Sequence, residues 1–180
     1  MIPSTKPSLV PIVFLLFLTL SCATEKTQPP QRYTAAVPEG MILIEAEAFR
    51  LVGSRIIDDP RASGGQAVTM ETTRAFCSYE LELDPGRYVA VARVKAPDAD
   101  HDMVYLSSLQ SLVGFDTGGV FNRYRYGNKI LEFTLERTVK DYIQFAAFSS
   151  LNPKGEAGLT VDYLIICEKS RWEAEPLDLD

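Results

Sequence analysis

The feature that most constrains the fold is an alternation of apolar and polar residues, which begins at Met41 and continues almost to the C-terminus. Successive side chains of a β-strand point to opposite faces, so a period of two predicts strands with one buried face. No window of helical length shows an apolar period of 3.6 residues. The predicted strands are residues 41–49, 66–71, 75–83, 87–95, 102–109, 131–135, 142–149 and 159–168.

Turn-forming residues separate these strands at short intervals. Examples are Ala62-Ser63-Gly64-Gly65, Asp84-Pro85-Gly86 and Asn152-Pro153-Lys154-Gly155. Glycine and proline favour the backbone conformations of tight turns, so such clusters mark where one strand ends and the next begins. Many short strands with regularly spaced turns predict an all-β fold, an antiparallel β-sandwich of the jelly-roll kind.

Composition narrows the classes of function. The chain has 180 residues, 46% of them hydrophobic, and a net charge of −6, which fits one domain with appended segments. An acidic chain without a basic stripe is not expected to bind nucleic acid or to dock electrostatically on anionic lipid. His101 is the single histidine, and no nucleophile elbow, phosphate-binding loop or zinc spacing is present. We therefore expect no enzymatic activity.

The N-terminal segment has a different character from the rest of the chain. Lys6 precedes an apolar run, Leu9 to Leu20, that has the length of a signal-peptide core and is short for a membrane span. Leu20-Ser21-Cys22 resembles a bacterial lipoprotein processing site, with Thr19 where Leu is usual. The resemblance implies lipidation of Cys22, and Ala23 after it implies sorting to the outer membrane. Ordinary secretion without a lipid is the alternative.

These features divide the chain into four parts. We expect a lipoprotein signal peptide over residues 1–21, a lipidated Cys with a flexible linker over 22–39, a β-sandwich over 40–170 and an acidic tail over 171–180. The remaining thiols, Cys77 and Cys167, could form a disulfide in an exported protein or stay as two separate buried thiols. Trp172, the one tryptophan, is expected to pack against the edge of the domain.

An ordered set of short motifs resembles the galactose-binding-like jelly roll of non-catalytic carbohydrate-binding modules, in particular families six and thirty-five. The resemblance spans residues 41–168. The motifs are Ile44-Glu45-Ala46-Glu47, Ala62-Ser63-Gly64-Gly65, Pro85-Gly86-Arg87-Tyr88, Ala92-Arg93-Val94-Lys95-Ala96-Pro97 and Val161-Asp162-Tyr163-Leu164. Thr160 stands where many family members have an Asn that contacts sugar, and the region matching the binding loop contains no Trp.

The resemblance implies a structural calcium ion held by Glu45, Glu47 and Asp162, with carbonyls from the loop around Arg61, Ala62 and Ser63. The chemistry of the residues agrees with this. Glu45 and Glu47 are two positions apart, which places both on one face of a strand and makes them repel. Calcium binds six to eight hard oxygens and would turn that repulsion into attraction. The alternative is that both glutamates lie on a solvated face.

Sugar binding requires aromatic platforms and a few fixed polar groups. The richest segment is residues 115–128, predicted to be a loop at one end of the sandwich. The expected ligand-binding residues are Tyr124, Tyr126, Arg123, Asp102, Phe121 and Asn122, with Asp102 supplied by the polar segment Asp98 to Asp102. The alternatives are packing within a β-ribbon for the tyrosines and a solvated turn for the aspartates.

The hypothesis that follows is a non-catalytic carbohydrate-binding lipoprotein of the bacterial cell envelope, anchored by lipid to the outer membrane and facing the periplasm or the surface. Its partner would be an oligo- or polysaccharide. The competing hypothesis is a structural or adaptor lipoprotein that uses the same sandwich to contact an envelope protein. The two differ in whether the predicted ligand residues converge on one patch.

Overall fold

The computed structural model describes residues 38–72, 74–108, 111–147, 158–175 and 177. The predicted signal peptide, Cys22 and nearly all of the linker lie outside the described residues. Among the described residues, no helix has the length and apolar character needed to cross a membrane.

Two antiparallel sheets form the domain, which confirms the predicted all-β sandwich. Their strands, in chain order, are β1 Met41–Glu45, β2 Arg50–Val52, β3 Ser54–Asp58, β4 Gln66–Met70, β5 Phe76–Leu83, β6 Gly86–Lys95, β7 Val104–Ser107, β8 Leu112–Phe115, β9 Arg125–Tyr126, β10 Leu131–Leu135, β11 Val139–Ala146 and β12 Thr160–Glu168. A 3₁₀ helix spans Ala46–Ala48, and one short helix, α1 Lys169–Ala174, follows β12.

The first sheet has seven strands and contains most of the residues discussed below. Its order is β10-β6-β12-β4-β3, with β1 also paired to β12 and β9 to β6. The second sheet has the order β2-β5-β11-β7-β8. The pairing of β1 with β12, Met41 opposite Cys167 and Glu45 opposite Tyr163, joins the two ends of the domain.

Most of the buried apolar side chains lie between the two sheets. Alternation along β12 sends Val161, Leu164 and Ile166 into this core. The intervening Tyr163, Ile165 and Cys167 join a second, smaller cluster on the outer face of the seven-stranded sheet. Trp172 of α1 packs against this outer cluster, as the sequence predicts for the domain edge.

The first strand is shorter than predicted. Strand β1 ends at Glu45, and the 3₁₀ helix Ala46–Ala48 takes the chain from the first sheet toward β2 of the second. The predicted strand over residues 41–49 is therefore wrong in its second half, because the apolar-polar alternation continues through a turn. Glu45 and Glu47 are brought together by this turn and not by the alternation of a strand.

Cys77 and Cys167 are both buried and free. Cys77 lies in the core between the sheets, whereas Cys167 belongs to the outer cluster. Of the two possibilities left open by the sequence, the structure therefore has two separate thiols.

Candidate functional site

Glu45 and Glu47 lie under the loop that connects β3 to β4. The Ser63 hydroxyl donates a 2.6 Å hydrogen bond to Glu45 Oε1. A Cβ placed on Gly64, whose φ is +62°, would lie 3.6 Å from Glu47 Oε1, so this loop closes over both carboxylates. The second oxygen of each, Oε2, is buried and has no hydrogen-bond donor among the described residues.

Asp162, the third predicted metal ligand, lies at an irregularity of β12. The register shifts between Val161 and Tyr163, which leaves Asp162 as the extra residue of a bulge. Bulges redirect side chains in this way. The carboxylate is fully buried. Asp162 Oδ1 accepts a 2.7 Å hydrogen bond from the Ser63 backbone N–H, and Oδ2 forms an ion pair with Arg93. Ser63 thus links Asp162 to Glu45.

The electrostatics of this group favour a cation. Burial raises the pKa of Glu47, and the neighbouring charge of Glu45 raises it further. Burial also raises the pKa of Asp162, to about 6, although hydrogen bonds from Arg93 and Ser63 act in the opposite direction. The raised pKa of Glu47 indicates that the charge of the glutamate pair is not compensated by the described residues around it, whereas Asp162 is paired with Arg93.

The residues present fit a hard divalent cation in part. Glu45 and Glu47 provide carboxylate oxygens, two of them buried without a donor, which is the ligand chemistry that calcium prefers. Within the part of the chain that the structure describes, however, no three His, Cys, Asp or Glu side chains are grouped closely enough to hold a metal ion. Both oxygens of Asp162, the third predicted ligand, already have partners in Ser63 and Arg93.

The predicted aromatic platforms, Tyr124 and Tyr126, lie on the outer face of the seven-stranded sheet. Strand β9 pairs with β6, where Tyr126 is opposite Arg93. The hydroxyl of Tyr126 lies 3.0 Å from that of Tyr163, and the two rings meet edge to face at 6.2 Å. Tyr126 is thus packed within the β-sheet, as the alternative interpretation of the sequence expected.

Tyr124 is held between two cations. The guanidinium carbon of Arg93 lies 4.8 Å from the centre of its ring, and Lys95 Nζ lies 4.7 Å from it. Its hydroxyl donates a 3.3 Å hydrogen bond to Asp59 Oδ2. Burial, followed by the charge of Asp59, raises the pKa of Tyr124. The ring is therefore committed to contacts within the protein.

The neighbouring residues Phe121, Asn122 and Arg123 have different environments. Asn122 has a φ of 59° and donates from its N–H to Ala96 O at 2.8 Å, so it fixes the path of the loop. Phe121 is half-buried and bridges to Ala96. Arg123 is exposed.

Asp102 lies in the 96–103 loop, the start of which Phe121 and Asn122 contact at Ala96 and Pro97. The 96–103 and 116–128 loops meet at this end of the sandwich. Burial raises its pKa, and so do the charges of Asp116 and Asp98, which places these carboxylates close together. Asp98 contacts His101 Nδ1 at 2.6 Å. Asp116 Oδ1 accepts hydrogen bonds from Gly118 N–H at 2.6 Å and from Asn128 Nδ2 at 2.7 Å.

The same end of the domain has polar atoms without partners. Thr117 Oγ1, Arg125 Nε and His101 Nε2 are buried and have no hydrogen-bond partner among the described residues. A Cβ on Gly118 would lie 3.6 Å from Arg125 Nη1, so Arg125 reaches the loop that contains Thr117. We call His101, Asp102, Asp116, Thr117 and Arg125 the loop-end cluster.

The six predicted ligand residues therefore do not form one patch in the described structure. Tyr124 and Tyr126 face outward from the sheet, whereas Asp102 belongs to the loop-end cluster. Thr117 and Arg125 were not predicted as ligand-binding residues, because the aromatic residues of the 115–128 segment are the more usual contacts of a sugar. A threonine and an arginine beside two glycines were the available signal.

Comparison with known proteins bears on the fold. Neither a family model nor a curated protein sequence matches the chain. Solved structures do. A family 35 carbohydrate-binding module from Clostridium thermocellum superposes with a TM-score of 0.56 at 20% identity, covering 70% of this chain and 98% of the module.

Two further structures support the same comparison. The C-terminal family 6 carbohydrate-binding module of a marine laminarinase from Zobellia galactanivorans gives a TM-score of 0.50 at 14% identity over 71% of this chain and 99% of the module. An exo-β-1,3-galactanase from Phanerochaete chrysosporium gives 0.53 at 19% identity over 70% of this chain, which spans 29% of the galactanase.

The chain shares its β-sandwich fold with these carbohydrate-binding modules. At these identities the likeness establishes the β-sandwich and leaves the ligand to be argued from the residues of this chain.

Proposed function

We propose that the protein is a non-catalytic carbohydrate-binding lipoprotein of the bacterial cell envelope. The observation that carries the proposal is the loop-end cluster, on a β-sandwich like that of carbohydrate-binding modules. Buried polar atoms of Thr117, Arg125 and His101 have no partner among the described residues, and they lie in the same two segments, 96–103 and 116–128, that carry Asp102 and Asp116. Sugar hydroxyls both donate and accept hydrogen bonds, so they can pair with a guanidinium and a carboxylate together, here those of Arg125 and Asp102. Thr117 is fully buried and is not expected to contact the sugar directly.

A glycan array with the mature chain, Cys22 replaced by Ser, tests this site. Arg125→Gln removes the guanidinium, and Asp102→Asn removes a negative charge. Each is expected to weaken binding by about 1–3 kcal/mol, the cost of leaving a hydrogen-bonding group unsatisfied. Tyr126→Phe, which removes a hydroxyl on the outer face, is the matched control. Loss of binding in Tyr126→Phe alone would show that the sugar binds at the tyrosines of the outer face and not at the loop-end cluster.

The proposed anchor is a lipid on Cys22. Its support is the resemblance of Leu20-Ser21-Cys22 to a lipoprotein processing site after an apolar run. Globomycin should block maturation, and Cys22→Ser should move the protein from the membrane fraction to the soluble fraction. Unchanged fractionation of both would favour ordinary secretion.

The proposed calcium site comprises Glu45 and Glu47, with Asp162 as a third ligand. A bound calcium would compensate the charge of the two glutamates and, through Ser63, tie the end of β1 to β12. A melting temperature that is unchanged by EDTA and by added calcium would count against a structural role for the metal. Manganese or magnesium in place of calcium tests selectivity.

A second function, contact with an envelope protein, is supported by two observations. The predicted ligand residues do not form one patch, which favours this hypothesis. A groove of about 430 Å³ lies between β1 and β5 and is lined by Ile42, Leu43, Tyr79, Leu81 and other residues. Ile42 on its rim is 46% exposed. If this groove holds a protein partner, Ile42→Glu should abolish crosslinking to that partner and leave sugar binding intact.

A further inference from the structure

Arg93 occupies a fixed position beside the proposed calcium ligands. It extends from β6 on the outer face of the sheet, and its side chain is 17% exposed. The guanidinium carbon lies 4.8 Å from the ring centre of Tyr124 and 5.7 Å from that of Tyr163. A guanidinium placed against two aromatic faces is restricted in orientation, so its contacts are directed ones.

Those contacts go to two of the oxygens that the calcium site requires. Arg93 forms an ion pair with Asp162 Oδ2, and its Nη1 also lies 3.4 Å from the backbone carbonyl oxygen of Arg61. Asp162 is the third carboxylate of the proposed site, and Arg61 belongs to the loop expected to supply carbonyl ligands. The remaining carboxylate oxygens, Oε2 of Glu45 and of Glu47, have no donor among the described residues.

From this arrangement we propose that Arg93 is an internal counter-ion that competes with calcium for Asp162 and the Arg61 carbonyl. The inference rests on the proposed calcium site and concerns the residues of this chain around it. In the metal-free protein the guanidinium compensates the buried Asp162 and keeps the loop of residues 61–65 attached to β12. Calcium must displace or share these contacts, and a positive charge next to the ion weakens its binding.

The competition has two consequences that differ from those of an ordinary supporting residue. The domain remains folded without metal, because Asp162 is never left as an uncompensated buried charge. Removing the guanidinium makes calcium binding tighter and makes the fold depend on the metal. A residue that only held the ligands in place would have the opposite effect on affinity.

The experiment measures calcium binding by titration calorimetry and melting temperature with calcium or EDTA, on the mature chain with Cys22 replaced by Ser. Arg93→Gln is expected to bind calcium about tenfold more tightly than the wild type, or better. Its melting temperature should fall in EDTA and recover in calcium, whereas that of the wild type should change much less. Arg93→Lys, which keeps the charge and loses the planar fork, should lie between the two.

Lys95→Gln is the matched control, because it removes one positive charge from the same strand face. Lys95 pairs with Asp59, which is not a proposed metal ligand. Its calcium affinity should stay close to that of the wild type, and an increase equal to that of Arg93→Gln would overturn the proposal.

An unchanged or weaker affinity in Arg93→Gln would also overturn it. If Arg93→Gln fails to fold even with calcium, the affinity of Arg93→Lys decides, and a value equal to the wild type overturns the proposal. Absence of calcium binding in every protein overturns it together with the calcium site. The glycan array, which tests sugar binding separately, would be unaffected by that result.

Discussion

At the scale of single residues, Asp59 accepts hydrogen bonds from several neighbouring residues on the outer face. It is buried, and its carboxylate accepts hydrogen bonds from Lys95 Nζ, from the Arg61 backbone and from the Tyr124 hydroxyl. Burial alone would raise the pKa of Asp59, but the hydrogen bonds from Lys95 and Arg61 outweigh it and lower the pKa to about 2. The negative charge of Asp59 therefore stabilises the folded state.

This lowered pKa predicts how the stability depends on pH. The pKa of Asp59 falls from 3.8 to about 2 on folding, so its contribution is present above about pH 4 and is lost as the pH falls toward 2. Asp59→Asn should lower the free energy of unfolding by about 2 kcal/mol at pH 7. That difference from the wild type should shrink at pH 2, as measured by urea denaturation.

The neighbouring Asp58→Asn is the control for this measurement. Asp58 is exposed, and its carboxylate accepts a 3.2 Å hydrogen bond from Gln66. Its substitution should change the stability little at either pH. A loss in Asp59→Asn that is equally large at both pH values would show that shape, and not charge, explains the contribution of Asp59.

At the scale of elements, helix α1 covers the outer cluster and shields Cys167. Trp172 packs on this cluster, which includes Met41, Val91 and Cys167, and Arg171 Nε donates a 3.1 Å hydrogen bond to Glu39 O. Cys167 is 3% exposed, and burial raises the pKa of its thiol. The helix has only six residues, so its stability depends on this packing and not on its own propensity.

Trp172→Ala should therefore expose Cys167 to alkylation. Weakening the docking of α1 by about 1.4 kcal/mol would raise the population of the opened helix, and with it the rate of iodoacetamide modification, about tenfold. Mass spectrometry of a Cys22→Ser protein assigns the modified thiol, and Cys77 in the core serves as an internal reference. Glu173→Ala, an exposed change on the same helix, should leave the rate unchanged, and an equal rise at Cys77 would indicate global unfolding.

The elements that the sequence predicted well are those with one face buried along their length. The prediction over residues 131–135 matches β10, and those over 66–71, 75–83 and 87–95 differ from β4, β5 and β6 by one residue at an end. Strands β2, β3, β8 and β9 were missed. They are short, and β3 carries exposed Ile56 on an edge, so no alternation marks them. The turn at Ala46–Ala48 was hidden because its sequence, Ala-Glu-Ala, continues the alternation of apolar and polar residues, although Ala48 is exposed.

At the scale of the whole molecule, the first strand begins at one end of the sandwich and the loop-end cluster lies at the other. Met41 pairs with Cys167 near the end of β12, whereas Lys95, just before the 96–103 loop, pairs with Thr160 at its beginning. A tether at the N-terminus would therefore leave the loop-end cluster unobstructed. This relation depends on pairs of residues that are far apart in the sequence, which local patterns do not record.

The proposed calcium site was predicted only in part, because its contacts also join residues that are far apart in the sequence. Glu45, Glu47 and Asp162 were named from motifs, and the structure brings all three to Ser63 or its neighbour Gly64. The competing role of Arg93 could not be foreseen, since it depends on the bulge that turns Asp162 toward β6. The segment with Tyr124 and Tyr126 was expected to be a loop, but Arg125–Tyr126 forms strand β9, which places Tyr126 on the outer face of the sheet.

Because the first strand begins at the end opposite the loop-end cluster, the position of a bulky label should decide whether it blocks sugar binding. A Cβ on Gly119, next to the loop that carries Thr117, would have no atom within 4 Å, so a label on Gly119→Cys projects into solvent beside the loop-end cluster. A bulky maleimide polymer on that thiol should weaken glycan affinity at least about tenfold, because it excludes the ligand from the loops. The same polymer on Glu39→Cys, an exposed position at the other end, should leave the affinity unchanged.

The φ of Gly119 is +77°, so the unlabelled Gly119→Cys protein is measured as well, and it separates the effect of backbone strain from that of obstruction by the polymer. Equal affinities for the two labelled proteins would place the glycan away from the loops, on one of the sheet faces.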